Sequence, residues 1–295
     1  MRVLREIMET KIYLTIDGGP SERTGELLAY LKLKRFGAIL FCKGDHLQDR
    51  RELAVRAIHD GYIIGNHAYD HPHFSILSEG QVRAQIARTD ELIDQIYIES
   101  GVQRPARFFR FPYGDAGANK QEFRTNQRIL RELGYWSPIH SPRRDWGWSF
   151  DVKDWDVDAS NAVRKLELAK ESLKTLRPGA VLLLHDHPVN FEVGLFQSIC
   201  DCVLELGFTF YTNENLQDQI MNHRPLRNVD ASIFDEEIYD LRSENADLRY
   251  ELSAITTSFM YRCMKSLATK IDHLFPDNTR RGKFRKRITQ ALREK

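Results

Sequence analysis

Short apolar runs alternate with longer segments of helical periodicity from Lys11 to Thr212. The short runs are typical of buried strands, and several longer segments begin at Ser or Asn and end at Gly, as helices do. Alternating strands and helices form a mostly parallel sheet with right-handed crossovers. The sequence therefore predicts an α/β fold of about seven such units, arranged as a barrel. The predicted strands are 11–16, 38–42, 62–66, 107–111, 135–139, 180–184 and 208–212, and the predicted helices are 24–34, 50–59, 78–99, 121–133, 161–176 and 192–206.

Four of the predicted strands lead directly into a reactive side chain. These side chains are Asp17, His67, Arg110 and His185. An aspartate before Gly-Gly-Pro, as at Asp17, is also common in ordinary turns. However, the carboxyl ends of parallel strands meet on one face, where α/β proteins place their catalytic groups. We therefore expect the four side chains to form one site.

The composition limits the classes of protein and the compartment. The chain has 295 residues, 42% of them hydrophobic, and a net charge of only +1, so no global charge favours nucleic acid. Residues 1–10 contain no apolar stretch of the length that a signal peptide or membrane span needs. The four cysteines show no ligand-like spacing, which predicts free thiols in a reducing compartment. These features predict a cytoplasmic protein.

Five motifs in the chain resemble those of the polysaccharide deacetylase family, the carbohydrate esterases of family 4 type that contain the NodB homology domain. The motifs are TIDGGP (15–20), HAYDH (67–71), RFPY (110–113), DVKDW (151–155) and LLLH (182–185). The resemblance extends over residues 12–212. It implies a distorted (β/α)7 barrel, which we assign to residues 1–222, and a sugar or glycan substrate.

Two histidines have the spacing of a metal-binding pair. His67 and His71 are four residues apart, so their rings can face one point if the segment makes a helical turn. By itself this spacing is only suggestive. The family resemblance implies that the two histidines bind a divalent metal ion, for which we predict zinc. Such an ion would activate a water molecule and polarise a carbonyl group.

Deacetylation also needs a base, an acid and a group that stabilises the oxyanion. The resemblance implies that Asp17 is the general base and that Arg110 keeps its carboxylate ionised. It further implies that His185 protonates the leaving nitrogen, oriented and charged by Asp151. The alternative for Arg110 is a surface ion pair, but the flanking aromatic residues favour a position inside a cleft.

The remaining site residues predicted by resemblance would bind the acetyl group. Tyr113 would donate its backbone N–H to the oxyanion, and Pro112 would fix the turn that directs this N–H. Trp155 and Leu183 would form the wall of the acetyl pocket. Both could equally be ordinary core residues.

The first motif departs from the family at Gly18. The family ordinarily has two adjacent aspartates, of which the second is a metal ligand, whereas here Asp17 is followed by Gly18. Two neutral imidazoles without a carboxylate make a poorer metal site. Three interpretations remain open: another carboxylate replaces the ligand, the metal binds weakly, or the protein binds a glycan without hydrolysing it. The candidate replacement carboxylates are Asp45, Asp70 and Asp115.

The C-terminal part has two further segments. Residues 223–259 contain apolar residues spaced alternately by four and three, which predicts a heptad helix and a homodimer through residues 233–259. A single amphipathic helix packed on the barrel is the alternative. Residues 260–295 are basic and amphipathic, which predicts contact with an anionic membrane surface; nucleic-acid binding is the less favoured alternative. The heptad positions are Phe234, Ile238, Leu241, Asn245, Leu248, Leu252, Ile255 and Phe259.

These features together predict a metal-dependent hydrolase that acts on non-peptide C–N bonds. It would remove N-acetyl (or O-acetyl) groups from a sugar or glycan precursor, nucleotide-linked or lipid-linked, during bacterial polysaccharide biosynthesis. It would be cytoplasmic and peripheral to the inner membrane. The alternative is a catalytically impaired NodB-like protein, without a full metal site, that binds glycans or acts as a scaffold.

Overall fold

The computed structural model describes residues 10–135 and 150–222, all of which belong to one unit, Met1–Val229. The predictions for the heptad helix, the basic tail and most of the 135–139 strand lie outside the described residues. Within the two described ranges, no helix is both long enough and apolar enough to cross a membrane.

Strands and helices alternate along the described chain as predicted. Short 3-10 turns lie at Phe74–Ile76 and Pro112–Gly114. The elements are β1 Lys11–Asp17, α1 Thr24–Lys34, β2 Ala38–Cys42, α2 Gly44–Asp49, α3 Arg51–His59, β3 Ile63–Asn66, α4 Glu79–Ser100, α5 Lys120–Glu132, β4 Phe150–Asp151, α6 Ala162–Leu173, β5 Val181–His185, α7 Pro188–Glu192, α8 Leu195–Glu205, β6 Thr209–Phe210 and α9 Asn213–Asn222.

The six described strands form one parallel sheet, five of them in the order β3-β2-β1-β5-β4. The short strand β6 pairs with Lys11 and Ile12 of β1. Strand β5 pairs with β1 from Tyr13 onwards. Its neighbour Tyr211 accepts a hydrogen bond from the Gly37 N–H at 2.7 Å, so this segment also contacts the start of β2. The structure confirms the predicted α/β barrel with parallel strands, distorted where β6 enters.

Side chains of β1 point alternately to the two faces of the sheet. Ile12, Leu14 and Ile16 pack outwards in a large apolar core with the surrounding helices. Tyr13 points inwards and packs with residues of β2, β3 and β5, including Phe41. Thr15 and Asp17 share the inward face and form a polar layer at the carboxyl end of the strand. The apolar side chains around Tyr13 lie directly beneath this layer.

One predicted strand was wrong, and four helices and strands of the described residues were not predicted. The predicted strand 107–111 makes only a single bridge, between Phe109 and Asn66 of β3. Its backbone follows β3 through the hydrogen bonds Asn66 N–H to Phe108 O and Arg110 N–H to Asn66 O, at 2.8 and 3.0 Å. The elements that were not predicted are strand β4, which has only two residues, the short helices α2 and α7, and helix α9, which follows the last apolar run directly.

Candidate active site

Asp17 and Arg110 form a buried ion pair at the centre of the polar layer. The Arg110 Nη1 donates to Asp17 Oδ1 at 2.7 Å and to Thr15 Oγ1 at 2.9 Å, and each side chain of the ion pair is only 4% exposed. The guanidinium also lies over the Phe41 ring, 4.3 Å from its centre. Arg110 is therefore inside the cleft, and the surface alternative is wrong. Such a charge-assisted pair fixes the position of the carboxylate at the centre of the site.

The two predicted metal-binding histidines do converge. His67 Nε2 and His71 Nε2 are 3.2 Å apart, and His67 Nε2 is 3.7 Å from Asp17 Oδ2. The Nδ1–H of His67 donates to the Arg110 backbone carbonyl at 2.9 Å, which leaves Nε2 with its lone pair facing the site. His71 has a positive φ of 63°, so a tight turn rather than a helical turn brings the rings together.

Both imidazoles are held neutral, as metal ligands must be. Burial lowers the pKa of His67, opposed by the charge of Asp17. Burial, followed by the neighbouring His67 and Lys43, lowers the pKa of His71 to about 4. At neutral pH both rings therefore offer lone pairs to an electrophile.

In the part of the chain that the structure describes, no third protein ligand lies beside this pair. Within residues 10–135 and 150–222, no cluster of three His, Cys, Asp or Glu side chains is arranged to hold a metal ion. Gly18 has a φ of +93°, and a Cβ atom there would meet nothing within 4 Å. His67 and His71 thus fit a divalent ion with two of the ligands it needs, and the space beside Gly18 is open.

The replacement carboxylates proposed from the sequence are otherwise engaged or exposed. Asp45 contacts the Lys43 ammonium at 3.3 Å and accepts a hydrogen bond from the His46 N–H at 2.8 Å. Asp115 accepts from the Ser75 hydroxyl and backbone N–H and contacts a ring nitrogen of His73. Asp70 is exposed. None of the three is directed at the histidine pair by these contacts.

His185 lies on the strand next to Asp17 and is oriented by Asp154. In the β1–β5 register Asp17 is paired with His185. The His185 Nδ1–H donates to Asp154 Oδ1 at 2.6 Å, and its backbone N–H donates to Oδ2 at 2.9 Å. Asp154 is fully buried and also accepts a hydrogen bond from Asn190. Burial is the largest influence and opposes protonation, but the hydrogen bond and charge of Asp154, together with the charges of Asp17 and Asp151, raise the pKa of His185.

The prediction that Asp151 orients His185 was wrong, although its charge contributes to raising the pKa of His185. Asp151 is exposed at the end of β4 and accepts a hydrogen bond from the Lys153 N–H at 2.7 Å. This local turn, in which Lys153 has a φ of 58°, directs the chain so that Asp154 enters the site instead. The sequence signal was present, because both aspartates belong to the DVKDW motif.

Pro112 and Tyr113 form the predicted turn at the edge of the site. Pro112 is buried and begins a 3-10 turn in which Tyr113 has a φ of 59°. Within the described part of the chain, no group accepts a hydrogen bond from the Tyr113 N–H. The Tyr113 ring is 64% exposed, lies 4.5 Å from the His71 ring and stacks on His73 at 4.0 Å. This N–H is therefore available to a ligand.

The two predicted pocket residues differ in exposure. Leu183 is buried and shares the inward face of β5 with His185, one pleat below it. Trp155 follows Asp154 directly and is 48% exposed. Leu183 thus lies beneath the polar layer, and Trp155 remains at the surface where a large ligand can reach it.

Sequence reasoning missed Thr15, Asn66 and Asp186, which hold the site together. Thr15 links Arg110 to the Leu182 carbonyl of β5. The Asn66 side chain accepts from the Ala68 N–H and donates to the Tyr135 hydroxyl, which fixes the start of the histidine loop. Asp186 accepts hydrogen bonds from Ser21 and Thr24 and so connects β5 to the loop after β1. Asn66 and Asp186 flank His67 and His185 in the motifs, which was the only available signal.

Known proteins resemble this chain in sequence and in fold. The family profile "Polysaccharide deacetylase" matches residues 6–135. A chitooligosaccharide deacetylase of Rhizobium leguminosarum bv. phaseoli is 30% identical over 177 residues, which is 59% of this chain and 67% of the relative. The crystal structure of a Bacillus cereus polysaccharide deacetylase is 26% identical, with a TM-score of 0.54 over 69% of this chain and 91% of that one.

A second similar structure is that of a pseudoenzyme of carbohydrate esterase family 4 from Bacillus anthracis. It is 20% identical, with a TM-score of 0.54 over 72% of this chain and 66% of that chain, and so supports the fold alone. The sequence match to the deacetylases is what identifies the family. This chain belongs to the polysaccharide deacetylase family.

Proposed function

We propose that this protein hydrolyses an acetyl group from an N-acetylated (or O-acetylated) sugar of a glycan or glycan precursor. The observation that supports this best is the placement of a buried carboxylate and a histidine side by side on neighbouring strands. Asp17 is held by Arg110, while the hydrogen bond and charge of Asp154 raise the pKa of His185. A base and an acid within reach of one scissile bond are what amide hydrolysis requires.

Each residue would act at a definite atom of the reaction. Asp17 takes a proton from the attacking water, whose oxygen bonds to the acetyl carbon. The Tyr113 N–H donates to the oxyanion that develops there. His185 gives its proton to the leaving nitrogen as the C–N bond breaks, and Asp154 holds the ring in place. The products are acetate and the free amine.

A divalent metal, for which we propose zinc, would polarise the carbonyl and lower the pKa of the attacking water when bound. His67 and His71 would hold it through their Nε2 atoms. Because Gly18 supplies no carboxylate, we expect weak binding.

A second function is supported by Gly18 itself. If the metal is not held, the same cleft, with Tyr113 and Trp155 exposed at its edge, would bind a glycan without hydrolysing it. One neighbour in fold is described as a pseudoenzyme, and a mutant of it as having restored activity. We propose this glycan-binding function as the alternative.

The experiment is to measure bound metal and deacetylation of N-acetylated chitooligosaccharides on one preparation, after chelation and after reloading with zinc or cobalt. Gly18→Asp is assayed beside it, with Gly101→Asp as the control because Gly101 also has a positive φ and open space. Activity of the unaltered protein that is lost on chelation and restored on reloading would support the deacetylase. Metal binding and turnover in Gly18→Asp alone would support the glycan-binding protein.

We further propose that the substrate is a nucleotide-linked or lipid-linked precursor of polysaccharide biosynthesis. The basic segment 260–295 supports this, because about 1 kcal/mol per basic residue near an anionic surface would hold the protein at the membrane. Sedimentation with anionic vesicles at low salt tests the membrane contact, with neutral vesicles and a DNA duplex as competing ligands. Binding to the duplex alone would contradict it.

A further inference from the structure

Lys43 lies between the loop that follows β1 and the loop that contains His67 and His71. Its N–H donates to the Gly19 carbonyl at 3.0 Å, immediately after Gly18. The next residue, Gly44, donates to the Ala68 carbonyl at 2.9 Å, immediately after His67. The end of β2 therefore places Lys43 beside the position where the family has its carboxylate ligand.

Two neighbouring side chains hold the Lys43 side chain in place. It is only 18% exposed, and its ammonium is 3.1 Å from His46 Nε2 and 3.3 Å from Asp45 Oδ2. The His46 ring lies near both Lys43 and Gly18. Burial and the Lys43 charge lower the pKa of His46, while Asp45 and the Gly18 backbone oppose them.

The charge of Lys43 acts in the same direction as the loss of the carboxylate at Gly18. Removing an anionic ligand and adding an ammonium both make the site less favourable for a dication. Asp45 offsets part of this charge, but its other oxygen accepts from the His46 N–H. The backbone places this charge beside the histidine pair, because the Lys43 N–H and the Gly44 N–H join the loop after Gly18 and the loop that begins at His67.

We propose that Lys43 is a second determinant that weakens the affinity of the His67/His71 pair for divalent cations, independently of Gly18. Restoring the carboxylate alone would then leave the site below the affinity that its two histidines and an aspartate allow. This inference rests on the proposed function only in assigning the two histidines as the metal pair.

The experiment is a cobalt(II) titration followed by the visible absorption of the bound ion, which needs no enzymatic turnover. The proteins are the full chain and the variants Lys43→Met, Gly18→Asp and Gly18→Asp/Lys43→Met. Lys43→Arg keeps the charge, and Lys34→Met removes the charge of an exposed lysine of α1. Circular dichroism checks that each variant is folded.

We expect Lys43→Met to tighten cobalt binding about 10- to 100-fold, in the range of changes next to metal ligands, both in the unaltered chain and in the Gly18→Asp variant. Lys43→Arg and Lys34→Met should leave the affinity within a few-fold of their parent. If Gly18→Asp binds cobalt and Gly18→Asp/Lys43→Met binds it with the same affinity, the role of Lys43 is overturned. The assignment of the histidine pair as metal ligands would then be retained. Absence of cobalt binding in all variants would overturn it together with the assignment of the histidine pair.

Discussion

A single carboxylate, Asp154, both orients His185 and stabilises its protonated form. It accepts the Nδ1–H and the backbone N–H of the same residue, so the Nε2 atom is directed away from it. Replacing Asp154 by Asn would remove the charge that raises the pKa of His185. The shape of the side chain would be retained.

We expect Asp154→Asn to lower kcat for deacetylation about 100-fold or more, the range for loss of a general acid. The alkaline limb of the pH profile should move to lower pH, because His185 would lose its proton more readily. Asp151→Asn is the matched control and should cost much less, since Asp151 accepts its hydrogen bond from the Lys153 N–H and acts on His185 through its charge. A loss of kcat from Asp151→Asn equal to that from Asp154→Asn would contradict the assignment of Asp154 as the carboxylate that acts on His185.

The histidine pair should make the stability of the metal-free protein depend on pH. Burial lowers the pKa of both rings, to about 4 for His71, whereas an unfolded histidine titrates near 6.5. Below pH about 6.5 the unfolded chain therefore binds more protons than the folded one, and the free energy of unfolding falls as the pH decreases towards 4. Urea unfolding at several pH values should show this slope, reduced in His71→Gln and retained in His59→Gln, where the histidine is exposed. A slope unchanged in His71→Gln would contradict it.

The reactive residues were predictable because each follows a strand in the sequence. Asp17, His67 and His185 needed only the alternation of strands and the rule that their ends converge. Asp154 could not be chosen over Asp151 from the sequence, because a local backbone turn with positive φ at Lys153 decides which carboxylate enters the site. Such turns depend on contacts that strand periodicity does not report.

At the scale of the elements, strands β1, β2, β3 and β5 were predicted within one residue, and the two-residue strands β4 and β6 were not. Strands β1, β2 and β5 have continuous apolar runs. Helix α4 was predicted equally well, because Ser78 and Gln81 form a capping box and Gly101 ends it with a φ of 67°. Residues 107–111 have the composition of a strand but make one bridge, because pairing depends on the register of β3.

Closure of the barrel near β6 depends on the absence of a side chain at Gly37. A Cβ there would lie 2.6 Å from the Asn213 nitrogen and 2.7 Å from the Thr212 carbonyl oxygen. We expect Gly37→Ala to destabilise the protein by about 1–3 kcal/mol, because backbone atoms cannot move aside easily. Gly25→Ala in α1 has ordinary contacts and should be neutral or stabilise by up to about 1 kcal/mol. Urea unfolding midpoints compare the two, and equal midpoints would contradict the steric argument.

At the scale of the whole molecule, the net charge of +1 conceals a basic C-terminal segment that follows an apolar heptad. The heptad has Asn245 at an a position, which in parallel coiled coils favours two strands and fixes their register. The self-association predicted for residues 233–259 and the alternative of one helix packed on the barrel differ in one measurable property. Only self-association makes the measured mass depend on the apolar side chains at the heptad positions, which we call the seam.

We therefore expect light scattering at micromolar concentration to give the mass of a dimer for the unaltered chain. Leu248→Lys places a charge at a d position of the seam and should give a monomer, because a buried unpaired lysine is strongly unfavourable there. Ala246→Lys adds the same charge one residue after Asn245, outside the seam, and should leave the dimer intact. If the unaltered chain is already a monomer, the helix does not self-associate, and its apolar stripe must be covered by the same chain.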